Sequence, residues 1–191
     1  MAGDCTVLVT PIDNENNLFK ITDLIPQSLM EKILQTSWCS LDYTLQEGNR
    51  SLRRRICDDQ LPWLGQWHDC IHHAWHSITQ QTGCNHLQYS GTGFWVDEAT
   101  YTCPIHTDGE LPGAMQMFWV GNSTAIGTTW YYYRDHPDKI RYTFEFVPNT
   151  GYIMINKPGP NGYRKLQWHG MLHPVPDNTI RVTSYTWIQS Q

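Results

Sequence analysis

The segment RVTSYTWI, residues 181–188, combines one charged residue with the β-branched and aromatic residues that are typical of strands. Side chains two positions apart point to the same face of a strand. Arg181 therefore shares a face with Thr183 and two aromatic residues, and the opposite face is largely apolar. An inward arginine needs a counter-charge, because an unpaired buried charge is very costly. The carboxylate of a ligand is one candidate, held by the guanidinium of Arg181 and the hydroxyl of Thr183.

Short apolar or aromatic runs separated by turn residues continue through the chain from residue 84 onward. Within one run, the aromatic residues Tyr142 and Phe144 alternate with Thr143 and Glu145, as in a strand with one buried face. About eight such strands predict a β-sandwich or a barrel-like double sheet. The runs lie at 87–96, 100–106, 114–121, 127–133, 140–147, 151–156, 164–169 and 179–189.

The first part of the chain has a different pattern. Short apolar runs at 6–10 and 18–22 predict two strands joined by a polar turn. Pro26 fits the first turn of a helix, and apolar residues follow it at helical spacing as far as Trp38.

The clearest helix covers residues 60–82, has one apolar stripe and ends at Gly83, a usual C-terminal cap residue. Histidines at a spacing of four lie beside this stripe and can bind zinc on a helix. We favour a helix flank that the rest of the domain half covers, because the motif has no partnering acid in register. These histidines are His68, His72 and His76.

Residues 39–59 are polar and irregular, and they include Arg50 and the run Arg53-Arg54-Arg55. We expect a loop here. The simplest interpretation of its arginines is a solvated surface, and the alternative is a mobile basic loop that grips a substrate.

The composition is that of a globular protein, with 40% hydrophobic and 16% charged residues and a formal net charge of −5. An acidic chain gives no reason to expect nucleic acid or an anionic membrane as a partner. No apolar stretch approaches the ~20 residues of a membrane span, and we see no signal peptide. The six cysteines are scattered without a C-x-x-C pair. Reduced thiols and a cytoplasmic location are therefore expected.

A candidate metal site is formed by His106-Thr107-Asp108, which supplies an imidazole and a carboxylate two positions apart. A second histidine follows in the strand-like segment Trp168-His169-Gly170, and Arg181 comes after it. Two histidines and one carboxylate are the facial ligand set of non-haem Fe(II) oxygenases. The H-x-D motif is weak alone and gains weight from the inward arginine downstream.

The order HTD (106–108), WHG (168–170) and RVT (181–183) resembles the 2-oxoglutarate- and Fe(II)-dependent oxygenases, in particular their small prolyl-hydroxylase-like branch. By position, the resemblance makes His106, Asp108 and His169 the iron ligands. It makes Arg181 the residue that binds the distal carboxylate of 2-oxoglutarate, with Thr183 assisting.

The same resemblance implies a mainly β fold with flanking helices, a double-stranded β-helix or cupin-like jelly roll. Residues 1–191 would form one domain. Its core would span residues 84–191, and residues 1–83 would supply strands and helices that pack on the major sheet.

Two features depart from the family pattern. His173 competes with His169 for the distal ligand position, and we favour His169 because it ends a strand-like run within Trp-His-Gly. The second contact of 2-oxoglutarate, on a neighbouring strand, is unassigned. Its candidates are Tyr101, Gln116 and Trp119.

The activity implied is that of a dioxygenase that uses Fe(II), 2-oxoglutarate and O2 to hydroxylate a carbon. The substrate would be a peptide or protein residue, of prolyl type, or a small molecule, and 2-oxoglutarate would be oxidatively decarboxylated to succinate and CO2. Asp108 favours hydroxylation, because the related halogenases lack this carboxylate. Large aromatic residues are candidates for the pocket wall or for core packing: Trp95, Tyr101, Trp119, Tyr131 and Trp187.

Two other interpretations remain. One is a cupin-type metalloprotein that uses His106, His169 and either Asp108 or Glu110 without 2-oxoglutarate. The other is a non-catalytic β-sandwich that binds ligands in an aromatic groove, with Arg53–Arg55 at its rim.

Overall fold

Strands make up most of the described chain, together with two α-helices. The computed structural model describes residues 7–12, 17–46, 52–108, 111–156, 158–159, 162–163 and 167–191. The helices are α1 (Gln27–Gln35) and α2 (Leu64–Thr82). The strands are β1 (Leu8–Pro11), β2 (Leu18–Thr22), β3 (Tyr43–Gln46), β4 (Arg53–Ile56), β5 (Leu87–Asp97), β6 (Gly113–Val120), β7 (Thr128–Tyr131), β8 (Ile140–Phe144), β9 (Thr150–Ile155), β10 (Pro158–Gly159), β11 (Gly162–Tyr163), β12 (Trp168–Gly170) and β13 (Arg181–Ser190).

Eight of these strands form one antiparallel sheet, the large sheet, in the order β1-β2-β9-β6-β13-β5-β4-β3. A small sheet has the order β12-β7-β8, and β10 pairs with β11. β13 lies inside the large sheet, paired with β5 on one side and with β6 on the other. The segment whose alternation predicted a strand is therefore central to the fold.

The two faces of the large sheet are covered by different parts of the chain. On one face, Met115, Met117 and Trp119 of β6 share an apolar cluster with side chains from both helices. On the other face, Ala114 and Phe118 of the same strand share a second cluster with side chains from the small sheet. The period of two in β6 thus separates a helix-facing side from a side that faces the small sheet.

Both predicted helices are present, with differences at their ends. α1 follows Pro26 directly, and Trp38 lies in a separate short 3-10 turn. α2 ends at Gly83, whose φ of 71° lies in the left-handed region that glycine adopts without strain. Among the described residues, no helix is both long enough and apolar enough to span a membrane.

The polar stretch 39–59 differs from the predicted loop. Its described residues include β3 and β4, which pair antiparallel at one edge of the large sheet, and β4 also pairs with β5. The sequence Arg53-Arg54-Arg55-Ile56 was misread because it lacks the apolar alternation by which a half-buried strand is recognised. Arg50 lies outside the described residues.

The predicted strand at 100–106 is also wrong. Among these residues, ladder pairing is limited to an isolated bridge between His106 and His169. Pro104 offers a reason, because proline has no N–H to donate to a ladder.

Candidate metal centre and its cavity

Two histidines face each other across a short backbone bridge. The N–H groups of His106 and His169 each donate to the carbonyl oxygen of the other, at 2.9 Å. Gly170 permits this close approach, because a Cβ there would lie 2.8 Å from the carbonyl oxygen of Cys103. The bridge brings the two imidazole centroids to 4.5 Å.

Asp108 completes the cluster. Its Oδ1 lies 3.4 Å from Nε2 of His106, and its Oδ2 lies 3.4 Å from Nε2 of His169. One ligand atom from each of the three residues lies within 4.8 Å of the others. In the described part of the chain, no other group of three His, Cys, Asp or Glu residues is arranged to hold a metal ion.

The remaining ring nitrogens are held by backbone carbonyls. Nδ1 of His106 lies 2.9 Å from the carbonyl oxygen of Pro104, and Nδ1 of His169 lies 3.0 Å from that of Gln167. A carbonyl oxygen only accepts, so each Nδ1 carries a proton and donates it. Each ring is thereby oriented with Nε2 toward Asp108, as in metal-binding histidines.

Charges within the cluster shift its titration. Burial opposes the charge of Asp108, but His169 and His106 outweigh it and hold the pKa of this carboxyl well below its usual range. Burial likewise opposes the charge of His106, yet its hydrogen bonds to Asp108 and Cys103 raise its pKa to about 10. His106 is therefore protonated on both ring nitrogens at neutral pH, and an incoming metal ion has to displace the proton on Nε2.

Two aromatic side chains support the cluster, and the sequence suggested neither role. The hydroxyl of Tyr185 donates to Oδ2 of Asp108 at 2.8 Å. Trp130 of β7 stacks on His169, with centroids 4.6 Å apart and planes at 24°. Two sequence features could have indicated these roles. Tyr185 shares the inward face of β13 with Arg181, and Trp130 lies in a predicted strand.

A cavity of about 50 Å³ lies beside the three residues, with room for a few water molecules. Arg181 stands in its wall, almost fully buried. Its Nη1 pairs with Oδ2 of Asp97 at 2.6 Å, and its Nε donates to the carbonyl oxygen of Ile126 at 2.8 Å. Asp97 thus supplies a counter-charge that sequence reasoning had assigned to a ligand.

Arg181 keeps part of its hydrogen-bonding capacity. Its Nη2 donates to the hydroxyl of Thr128 at 3.4 Å. Of the five N–H donors of a guanidinium, these contacts use three and leave two without a partner among the described residues. On the same face of β13, Thr183 does not border the cavity, but its hydroxyl is buried and has no hydrogen-bond partner in the described part of the chain.

Arg53, predicted to lie in a solvated or substrate-gripping loop, is instead a second cation at Asp97. Its Nε lies 3.5 Å from Oδ1 of Asp97, and its Nη1 donates to the hydroxyl of Tyr101 at 2.9 Å. Its guanidinium also lies over the ring of Trp95, 4.7 Å from the centroid. Two guanidinium groups therefore share one carboxylate, and this wall of the cavity keeps one positive charge that no other described residue compensates.

Of the three candidates for the second co-substrate contact, Gln116 lines the cavity. Its side-chain carbonyl accepts hydrogen bonds from the hydroxyls of Thr128 and Tyr152. Tyr101 lies behind Arg53, and Trp119 belongs to the helix-facing cluster.

The proposed aromatic lining does not apply to this cavity. Its wall consists mainly of polar and charged side chains. None of the five aromatic residues considered for the pocket borders it: Trp95, Tyr101, Trp119, Tyr131 and Trp187.

The remaining candidate ligands lie elsewhere. His173 is exposed in a bend after β12 and is not part of the cluster. Along α2, His68 is half-buried, and His72 and His76 are exposed. Glu110 lies outside the described residues.

No family profile and no curated protein matches this sequence. Solved structures do. A viral collagen prolyl hydroxylase from Paramecium Bursaria Chlorella virus-1, in complex with 2-oxoglutarate, matches with a TM-score of 0.61 and 10% identity, over 92% of this chain and 96% of that chain. A Trichoplax adhaerens prolyl hydroxylase, in complex with a hypoxia inducible factor peptide fragment, matches with a TM-score of 0.63 and 9% identity, over 93% and 85%. The epimerase SnoN, in complex with Fe3+, alpha ketoglutarate and nogalamycin RO, matches with a TM-score of 0.64 and 8% identity, over 92% and 80%.

The chain has the fold of the 2-oxoglutarate-dependent oxygenases. The predicted jelly roll, a mainly β fold with antiparallel sheets, is thereby confirmed. At sequence identities this low, the matches show a likeness of fold only, and a shared fold does not by itself establish a shared activity. The chemistry of this chain depends on its own site residues.

Proposed function

We propose that this protein is an Fe(II)- and 2-oxoglutarate-dependent dioxygenase that hydroxylates a carbon atom. The observation that carries the proposal is the convergence of His106, Asp108 and His169 beside a cavity whose wall is cationic. We further propose that residues 1–191 form one domain, with the N-terminal helices supporting the large sheet. The apolar cluster shared by both helices and this sheet supports that arrangement.

The donor set fits an Fe(II) ion. Two imidazole nitrogens and one carboxylate oxygen, on one side of the metal, are the ligands of non-haem iron sites that leave other positions open. The backbone carbonyls at both Nδ1 atoms fix the rings in the orientation this requires. We therefore assign the metal to His106, Asp108 and His169.

The cationic wall fits the distal carboxylate of 2-oxoglutarate. Arg53 and Arg181 share Asp97, which leaves one positive charge for an anionic ligand. The buried hydroxyl of Thr183, unpartnered among the described residues, offers an additional donor. A carboxylate between Arg181 and Thr183 would satisfy buried donors whose loss of water is otherwise uncompensated.

When bound, iron and 2-oxoglutarate would supply the oxidation, with one oxygen atom of O2 going to the succinate formed with CO2 from 2-oxoglutarate and the other to the substrate. The chain's own residues bind and orient. Arg181, fixed through Asp97 and Ile126, orients the carboxylate. Tyr185 holds Asp108 through its hydroxyl, and Trp130 covers one face of His169 and excludes water from it.

We propose a peptide or protein residue, of prolyl type, or a small molecule as the substrate. The likeness to prolyl hydroxylases supports the first, since one of those structures contains a peptide fragment. The likeness to SnoN, solved with nogalamycin RO, supports the second.

One observation favours a second candidate function. Asp97 already neutralises Arg181, so Arg181 does not require the carboxylate of a ligand. This pairing favours a cupin-type metalloprotein that does not use 2-oxoglutarate. The additional cation Arg53 argues for the dioxygenase, because it restores a positive charge to the same wall.

Anaerobic titration of the Fe(II)-loaded protein with 2-oxoglutarate separates these functions. We expect metal-dependent binding of 2-oxoglutarate and, after addition of O2, formation of succinate. Arg181→Met should lose 2-oxoglutarate binding and keep Fe(II). The matched control is Arg134→Met, which removes an exposed arginine that stacks on Trp168 at 5.7 Å outside the cavity wall.

The possible results point to different functions. Metal binding with no effect of 2-oxoglutarate would favour the cupin-type protein. Absence of metal binding would contradict both proposals and favour the non-catalytic binding module.

A further inference from the structure

Arg55 carries a positive charge that no described acidic residue pairs with. It lies on β4 opposite Trp95 of β5, on the face of the large sheet that carries Arg53 and Asp97. Among the described residues, the side chain of Arg55 makes no hydrogen bond and no ion pair, and its Nε is buried without an acceptor. Its guanidinium lies over the ring of Trp187, 5.5 Å from the centroid.

The neighbouring arginines differ in this respect. Arg53 shares Asp97 with Arg181. Arg54, on the opposite face of β4, pairs with Glu98 at 2.9 Å. The buried Nε of Arg55 is a donor without an acceptor among the described residues, which costs free energy. Arg55 therefore has the properties expected of a residue whose anionic partner is a ligand.

Two aromatic side chains connect Arg55 to Asp108 of the metal centre. Trp187, beneath its guanidinium, contacts the ring of Tyr185 at 5.7 Å, and the hydroxyl of Tyr185 donates to Asp108. The side chains of Arg55, Tyr185 and Trp187 are partly exposed, so a ligand can reach them. Arg55 does not border the cavity assigned to 2-oxoglutarate and lies beyond Tyr185.

Gly93 creates the space in which this guanidinium lies. A Cβ at Gly93 would be 3.0 Å from Nε of Arg55 and 3.4 Å from the ring of Trp187. A side chain at this position would therefore push Arg55 away from Trp187.

We propose that Arg55 binds a carboxylate of the substrate, so that the enzyme acts on a carboxylate-bearing molecule. The proposal deepens the dioxygenase function and rests on it. The uncompensated charge of Arg53 and Arg181 is taken by the co-substrate, which leaves Arg55 for the substrate. The carboxylate belongs either to a small carboxylic acid, such as an amino acid derivative, or to an acidic residue of a peptide.

Binding of paired probes to the Zn(II)- and 2-oxoglutarate-loaded protein tests the proposal without turnover. One pair is N-acetyl-L-proline and the uncharged N-acetyl-L-prolinamide. The other is a prolyl-glutamyl peptide and its prolyl-glutaminyl analogue, both with blocked ends. The readout is the indole N–H signal of Trp187 in protein labelled with 15N-tryptophan, assigned with Trp187→Phe.

We expect the charged member of at least one pair to shift the Trp187 signal and to bind about tenfold or more tightly than its uncharged analogue, as for a charge-assisted hydrogen bond. The first pair reports a small carboxylic acid, and the second an acidic peptide. Arg55→Met should remove the preference while its stem still covers Trp187. Arg55→Lys should keep part of it, and Arg134→Met should keep all of it.

Equal binding of the charged and uncharged probes would overturn the proposal. So would a preference that survives in Arg55→Met, or a Trp187 signal that no charged probe shifts. The 2-oxoglutarate titration of the same sample is scored separately. If 2-oxoglutarate does not bind but the preference depends on Arg55, the carboxylate site stands and the dioxygenase function fails.

Discussion

The two faces of the large sheet are built from the same strands but differ in chemistry. The helix-facing side of β6 and β13 carries apolar residues such as Met117, Trp119 and Val182. The cavity side carries buried polar groups, among them Arg181 and Thr183. Apolar burial stabilises the fold, whereas buried charges and unpaired hydroxyls cost free energy. The comparison indicates that one face maintains the structure and the other retains unfavourable groups for ligands.

The largest effect on stability is expected on the helix-facing side. Trp119→Ala should lower the free energy of unfolding by about 3 kcal/mol, because it leaves a cavity among residues that both helices contact. Urea denaturation followed by circular dichroism measures this loss.

The matched variant on the other face is His169→Ala. It should change the unfolding free energy of metal-free protein much less and abolish Fe(II) binding. Similar losses of stability for both variants would contradict the division between the two faces.

The next effect concerns pH and the metal cluster. The pKa of His106 is about 10 in the folded protein, above the 6.5 of an ordinary histidine. Protonated His106 therefore stabilises the metal-free fold fully below pH 6.5, and this contribution is lost as the pH rises through about 10. Metal binding has the opposite trend, because the same proton has to leave first.

We expect affinity for a divalent metal to rise about tenfold per pH unit between pH 7 and pH 9, for one displaced proton. Calorimetric titration with Zn(II) in buffers of different ionisation enthalpy counts the proton released. The control is made in metal-free protein: Asp108→Asn removes the hydrogen-bond partner that holds this proton, and the pKa of His106 followed by NMR should fall. If the metal affinity of the wild-type protein did not change over this pH range, it would contradict the assignment of His106 as a metal ligand that must first lose a proton.

Sequence reasoning succeeded where the signal was local or periodic. The period of two in β13 and the spacing of His106 and Asp108 are properties of short segments, and the structure brings this pair together with His169. The role of Asp97 was missed because it depends on register across β4, β5 and β13, in which Arg53, Asp97 and Arg181 become neighbours. Such pairing cannot be read from any of the three segments alone.

The smallest effect is the most diagnostic for the cavity side. Thr183→Val replaces a buried hydroxyl, unpartnered among the described residues, with a methyl group of similar shape. Relief of this unsatisfied group should raise the unfolding free energy of metal-free protein by about 1 kcal/mol. The same change should weaken 2-oxoglutarate binding, because the hydroxyl is then missing from the bound state. Thermal unfolding with and without co-substrate measures both.

The opposite signs of these two effects are the argument for a ligand-binding role. If the hydroxyl served only the fold, replacing it would lower the free energy of unfolding and would leave the affinity for 2-oxoglutarate unchanged. Ser184, the next residue of β13, provides the control, because its hydroxyl is also buried without a partner in the described part of the chain but points to the helix-facing side. Ser184→Ala should therefore share the gain in stability without the loss of affinity. Equal weakening of 2-oxoglutarate binding by both variants would contradict a specific contact between the hydroxyl of Thr183 and 2-oxoglutarate.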